Sequence, residues 1–209
     1  MALKYQIPSW IQVLYRGVTW RGDRSRKVVY LTFDDGPIPE VTPQLLDILK
    51  QENVPATFFV VGENAKKHPE LLQREMAEGH RVGNHTYNHL KGWNCSLEEY
   101  LHNTEMSLPI LGHAVSLKPL FRPPYGKITN AQKKALLAKG YQIVLWDILT
   151  HDYDATYSPE KMLEIVQQHV RNGSIINFHD SIKSGKRTLL AVPQVIAWLK
   201  QQGYEFETL

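Results

Sequence analysis

The chain has 209 residues, 43% of them hydrophobic, and a formal net charge of +3. That length suits one domain with a full core and is too short for two. Charges of both signs are scattered, with no Lys/Arg block to track a phosphate backbone, which argues against nucleic acid as a partner. With Cys95 as the one cysteine, no intrachain disulfide and no Cys-based zinc site can form, so any metal must be held by His and carboxylate.

Residues 7–20 are apolar in part, but Pro8 and Arg16 interrupt them and no small-residue cleavage site follows. The stretch reads as neither a signal peptide nor a membrane span. The expectation is a cytoplasmic chain, or one whose export signal is missing, with no integral membrane span. Residues 1–27 are expected to form an N-terminal extension that packs on or leads into a domain over residues 28–209.

From residue 28 onward, short apolar β-rich runs alternate with amphipathic stretches. Residues 28–33 read as a strand, followed after Pro37 and Pro39 by a helix over 41–51. A strand at 57–61 precedes a helix at 69–78, closed by Gly79, and a strand at 81–83 precedes a helix at 97–111. Strand 120–121, helix 130–139 closed by Gly140, and strand 142–146 come next. Helix 159–171 ends at Asn172-Gly173, strand 174–178 follows, and helix 188–202 ends at Gly203 before a last short strand at 204–207. Proline in the first turn and glycine just past the end support these boundaries. Such a βα series makes an α/β domain, either a small or incomplete (β/α) barrel or a doubly wound open sheet. Asp34-Asp35, His85, Arg122, the segment 147–152 and His179 all come at or just after strand ends, where a barrel gathers its active-site loops.

Thr32-Phe33-Asp34-Asp35-Gly36-Pro37 sets two carboxylates at the end of an apolar run. Bringing both near a core is costly unless a cation or hydrogen bonds neutralise them, although Asp-Gly alone also marks ordinary solvated turns. His85-Thr86-Tyr87-Asn88-His89 spaces two imidazoles i, i+4, which on a helical turn reach one metal ion. With one Asp they make three ligands and leave positions open for water, as in a catalytic site. In Phe121-Arg122-Pro123-Pro124-Tyr125-Gly126 the prolines stiffen the backbone behind a guanidinium that suits a carboxylate. Alternation along 175–180 puts Asn177 and His179 on one face and Ile176 and Phe178 on the other.

These segments, in this order, resemble the polysaccharide deacetylase family, the NodB-homology or carbohydrate esterase family 4 domain, from about residue 28 to 207. The resemblance implies a single-domain distorted (β/α)7 barrel and a metal-dependent hydrolase that removes N-acetyl groups from an amino-sugar polymer or oligomer of chitooligosaccharide or peptidoglycan type. It implies one divalent ion on Asp35, His85 and His89, zinc first, with cobalt or nickel as alternatives. Asp34 would be the general base oriented by Arg122, and His179 the general acid partnered by Asp152. Tyr125 would offer its N–H to the oxyanion, with Pro123, Tyr153 and Asn177 beside the substrate. Tyr153 stands where the family commonly has Trp, and Asn177 where it commonly has Leu, so the acyl pocket is expected to be more polar than usual.

The other histidines, His68, His80, His102, His113 and His169, are expected in solvated or core roles, and His151 to point away from the site. Trp93 lies in a Gly-containing loop as a sugar-stacking candidate or a buried anchor. Two His and one carboxylate are also the ligands of non-haem iron oxygenases, but Asp34, Arg122 and His179 would then be idle. No G-x-S-x-G elbow supports a serine hydrolase. An O-acetyl esterase acting on xylan-like glycan, or a glycan-binding module with lapsed chemistry, are the remaining alternatives. The glycan is the expected partner, and nothing in the sequence fixes the oligomeric state.

Overall fold

In the computed structural model, which describes residues 5–112 and 119–209, α1 (Ser9–Leu14) and β1 (Val18–Thr19) precede β2 (Val28–Asp34). There follow α2 (Thr42–Gln51), β3 (Thr57–Val60), α3 (Gly62–Lys67), α4 (Pro69–Ala77), β4 (Arg81–Asn84), α5 (Leu97–Glu105) and α6 (Leu108–Leu111). The chain continues with β5 (Leu120–Phe121), α7 (Asn130–Ala138), β6 (Gln142–Val144), β7 (Ile148–Leu149), α8 (Pro159–His169), β8 (Ile175–His179), α9 (Gly185–Gln201) and β9 (Glu205–Phe206).

Among the described residues the strands form one sheet in the order β1-β6-β5-β4-β3-β2-β8-β7, with β9 added beside β2. Every pairing is parallel. The order advances round a circle, with β8 returning to the side of β2, and lacks the mid-sheet reversal of a doubly wound fold. The result is a single α/β domain whose parallel strands curl into a half-barrel, the distorted (β/α)7 form.

Period-two alternation decides what faces inward. On β2, Val29, Leu31 and Phe33 point out and join Leu45, Leu46 and Leu49 of α2, Ile165 and Val166 of α8, and Val195, Ile196 and Leu199 of α9 in the main core. Val28 and Tyr30 point in and meet Phe59, Leu120, Val144 and Ile175. The next two inward positions, Thr32 and Asp34, are polar. The inside is therefore apolar at the bottom of the barrel and polar at its C-terminal mouth.

The helix ends follow from local chemistry. Thr129 and Gln132 close a reciprocal capping box on α7, and Ser96 and Ser158 cap α5 and α8. Gly140 stands just past α7 with φ 87°, a left-handed conformation that costs it nothing.

Three expectations fail locally. The single helix over 97–111 is two, because Pro109 has no N–H to give and its ring would strike the preceding turn, so the chain restarts as α6. The strand over 142–146 ends at Val144, and a separate two-residue strand, β7, pairs with β8 beyond it. Helix α3 falls in a stretch read as a plain connection. The expected role of His113 lies outside the described residues. Of the described helices, none is long and apolar enough to cross a membrane.

Candidate active site

The polar mouth begins with the two aspartates. Asp34 closes β2, and Asp35 follows with φ 86°, a conformation rare for a non-glycine residue that turns its side chain out of the strand's alternation. His85 and His89 come after β4. They do not share a helical turn: residues 85–89 form a loop in which Thr86 and His89 have φ 65° and 59°. Side chains hold that loop, with Asn84 accepting from Thr86 N–H at 2.8 Å and Asn103 from Tyr87 N–H at 3.0 Å.

One ligand atom each from Asp35, His85 and His89 lies within 4.8 Å of the others. Asp35 Oδ1 is 3.2 Å from His89 Nε2 and 3.6 Å from His85 Nε2. His85 Nδ1 donates to the Arg122 carbonyl at 2.7 Å, which leaves Nε2 as a lone pair facing the aspartate. Burial pushes the His85 pKa down to about 4, so the ring is neutral, as a ligand must be. Asp35 Oδ1 is buried without a hydrogen-bond partner. An unsatisfied carboxylate oxygen facing an imidazole lone pair is costly in a protein alone and suits a divalent cation.

Arg122, fully buried, holds Asp34: Nη1 lies 2.7 Å from Asp34 Oδ1, 2.8 Å from Thr32 Oγ1 and 2.5 Å from Asn177 Oδ1. Nη2 donates to the Leu145 carbonyl at 3.1 Å, and the guanidinium sits 4.0 Å from the Phe59 ring centre. Burial, the largest single influence, would raise the Asp34 pKa, but the Arg122 charge and hydrogen bond together with the charges of His85 and His179 outweigh it and keep the carboxyl below its ordinary value.

His179, at the end of β8, donates from Nδ1 to Asp152 at 2.7 Å, and its backbone N–H donates to the same carboxylate at 2.6 Å. Asp152 is fully buried and also accepts from Thr188 Oγ1 at 2.7 Å. Burial lowers the His179 pKa, but the Asp152 charge and hydrogen bond drive it up to about 10, so the ring is cationic at neutral pH.

A cavity of about 600 Å³ opens over Asp34, Asp35, His85, His89 and His179, walled by Tyr125, Trp146, Leu149 and Tyr153. The structure thus brings the expected ligands, base and acid to one space, together with Tyr125 and Tyr153. Two expected residues are elsewhere. Pro123 is buried under the Tyr125 turn, where its carbonyl accepts from Gly126 at 2.9 Å, and it is not in the cavity wall. Asn177 does not face the cavity either: its amide is spent behind the base, on Arg122 and Thr32 and, through Nδ2, on Asp34 at 3.1 Å. The apolar wall is supplied by Leu149 and Trp146, on and beside the unforeseen strand β7. Asp180 was also unforeseen. It follows His179 directly in the motif, and it grips the Asp35 loop through Gly36 N–H at 2.8 Å and Thr42 Oγ1 at 2.6 Å.

Outside this set, His80 is a buried acceptor for Ala56 N–H at 3.2 Å, and His151 takes the Tyr153 hydroxyl at 3.0 Å. Trp93 is 41% exposed and meets Tyr125 edge-on.

A family model described as polysaccharide deacetylase matches residues 21–144. Among curated relatives, a peptidoglycan-N-acetylglucosamine deacetylase of Bacillus cereus is 37% identical over 193 residues, covering 92% of this chain and 91% of that protein. A chitooligosaccharide deacetylase of Bradyrhizobium is 33% identical over 195 residues, covering 87% and 88%. A crystal structure of a peptidoglycan N-acetylglucosamine deacetylase in complex with an N-hydroxybenzamide derivative superposes with a TM-score of 0.89 at 35% identity, covering 97% of this chain and 95% of that one.

Proposed function

Since the chain belongs to the polysaccharide deacetylase family, we propose that it is a divalent-metal-dependent hydrolase that removes N-acetyl groups from an amino-sugar glycan of peptidoglycan or chitooligosaccharide type. The observation that carries this reading is the meeting of Asp35, His85 and His89 beside an ionised Asp34 and a protonated His179 in one cavity.

Asp35 Oδ1 with His85 and His89 Nε2 would hold the ion, zinc first. A bound divalent ion supplies polarisation of the acetyl carbonyl and lowers the pKa of the attacking water. Asp34, kept ionised by Arg122, takes the proton of that water as its oxygen bonds to the acyl carbon. The Tyr125 N–H offers a hydrogen bond to the oxyanion that forms. As the C–N bond breaks, His179 gives its proton to the departing amine, and Asp152 stabilises the imidazolium beforehand. Acetate and the free amino sugar are the products.

Acetate release from chitotetraose and from peptidoglycan fragments tests the reading directly, with chelated and zinc-restored protein side by side. Chelation should abolish turnover and zinc restore it. Asp34→Asn should retain zinc and lose ~10²–10⁴-fold in kcat, the usual worth of a general base. Full activity in demetallated protein would overturn the metal assignment, and loss of zinc in Asp34→Asn would show that the two aspartates have exchanged roles.

A further inference from the structure

Asp35 follows β2 and the two histidines follow β4, so the strand between them in the sheet, β3, delivers its own loop and the start of α3 to the gap between the two ligand loops. Residues 61–64 each give a hydrogen bond to one of these loops. The Val61 N–H donates to the Gly36 carbonyl at 3.0 Å, and the Asn64 side chain donates from Nδ2 to the Asp35 carbonyl at 2.8 Å. The Gly62 N–H donates to the Thr86 carbonyl at 3.0 Å, and the Glu63 N–H to that of Tyr87 at 2.7 Å. One pair grips the aspartate loop and the other grips the chain between His85 and His89.

Only Asn64 makes its bond with a side chain, and it makes it to a metal ligand's own peptide. A carbonyl can only accept, so the NH2 end of the amide must face it. Asp35 has φ 86°, and a non-glycine residue keeps such a conformation only where its surroundings fix it. Asn64 fixes it directly. With the backbone so held, Asp35 Oδ1 points at His89 Nε2, 3.2 Å away, and at His85 Nε2, 3.6 Å away. The helix that carries Asn64 is itself anchored, because Ala65 is buried in the main core. Gly62 comes so close to the histidine loop that a Cβ there would crowd the Tyr87 ring and collide with Ser107 Oγ. A shift of α3 therefore moves both ligand loops, whereas Asp34 is held separately by Arg122.

We propose that Asn64 is a positioning residue for the metal site: its amide locks the Asp35 peptide in the turn that aims Oδ1 at the two imidazoles, with α3 as the joint that sets the spacing between the aspartate loop and the histidine loop. The assignment rests on the divalent-ion reading above. It concerns how tightly and in what geometry the ion is held, and leaves proton transfer to Asp34 and His179.

The test compares wild type with Asn64→Leu, which is close in volume but has no donor and brings no charge, and with Ala65→Gly, which loosens the same helix and keeps the amide. Asn64→Ala serves as a second donor-free variant in case the leucine is not accommodated. Zinc affinity by chelator competition, the visible spectrum of the Co²⁺-loaded protein and thermal unfolding are measured on each. Both donor-free variants should bind zinc about tenfold more weakly, the low end for loss of a group that orients a ligand, and should show a shifted cobalt spectrum. Ala65→Gly should melt lower yet keep wild-type affinity and spectrum. Wild-type affinity and spectrum in the donor-free variants overturn the positioning role alone, as does an equal loss of affinity in Ala65→Gly, which would make the effect one of helix stability. Failure of the wild-type protein to bind zinc or cobalt overturns the metal assignment and the role of Asn64 with it.

Discussion

Gly36 and Asp180 touch so closely that a Cβ at position 36 would collide with the carboxylate, and the Gly36 N–H donates to it at 2.8 Å. This contact ties the loop that carries Asp35 to the end of β8. It is reinforced by Thr42 Oγ1, which donates to Asp180 at 2.6 Å, and by the Asp180 N–H, which donates to the Asp34 carbonyl at 3.0 Å.

Asp180→Ala leaves two buried donors without an acceptor, at about 1–3 kcal/mol each, and frees the loop that aims Asp35. Loss of a group that orients a metal ligand typically weakens binding ~10–100-fold. Competition with a chromogenic chelator should show zinc affinity reduced by that factor. Unchanged affinity would mean that the loop keeps its shape without Asp180.

Asn177→Leu should lower activity rather than improve it. The amide bonds Arg122, Thr32 and Asp34, so a leucine there strips three buried partners of a hydrogen bond, at roughly 1–3 kcal/mol for each group left unmatched. Thermal unfolding should shift down and kcat should fall. The ratio of rates on acetylated and glycolylated sugar should stay as in wild type, since the side chain lies behind the base. A changed ratio would put Asn177 back beside the acyl group, whereas Leu149→Ala, in the cavity wall, is the substitution expected to alter it.

The pH profile should report the Asp152–His179 pair. With its pKa raised to about 10, His179 is protonated and able to act as acid through neutral and mildly alkaline pH, and loses that form only as pH rises through the raised value. Asp152→Asn removes the charge that raises it. The alkaline limb of kcat should then move down toward the ordinary histidine value of about 6.5, so that the variant is hurt more at pH 8 than at pH 6. Equal loss at both would assign Asp152 a purely structural role.

Glu75 on α4 makes a stability prediction. It is fully buried, neither carboxylate oxygen has a partner among the described residues, and burial, with Asp180 next, raises its pKa well above 4.5. As pH rises past 4.5 the unfolded chain ionises first while the folded one keeps its proton, so stability falls by up to about 1.4 kcal/mol per pH unit until the folded group titrates. Glu75→Met should raise the melting temperature, and more at pH 7.5 than at pH 5. An equal gain at the two values would show that the carboxyl does not titrate between them.

Much of this was legible in the sequence because strand alternation and strand ends are local signals. Thr32-Phe33-Asp34-Asp35 and Ile176-Asn177-Phe178-His179 each declare an apolar back and a polar front, and a parallel barrel gathers such ends at one mouth. What was missed depends on contacts between distant segments. The spacing of His85 and His89 fits a helical turn, but Asn84 and Asn103 hold that stretch as a loop with two left-handed residues, and neither asparagine lies in the motif. The inward face of Asn177 was correct, yet inward here means toward Arg122, because Leu149 on a strand too short to read from sequence already occupies the wall. The grip of Asp180 on Gly36 joins residues 144 positions apart.

Arg122 spends its guanidinium on the base and its carbonyl on His85, so two parts of the machinery share one backbone position. Drift at that position detunes proton abstraction and ion capture together, and no compensating change at either partner repairs both. The ring of His179 hangs from a separate bracket, Asp152 with Thr188, and Leu149, Tyr153 and Lys183 lie on or after β7 and β8. A scaffold built this way has a frozen half and an adjustable half, and new acyl groups or new glycans are most readily accommodated by varying the second while leaving every atom around Arg122 alone.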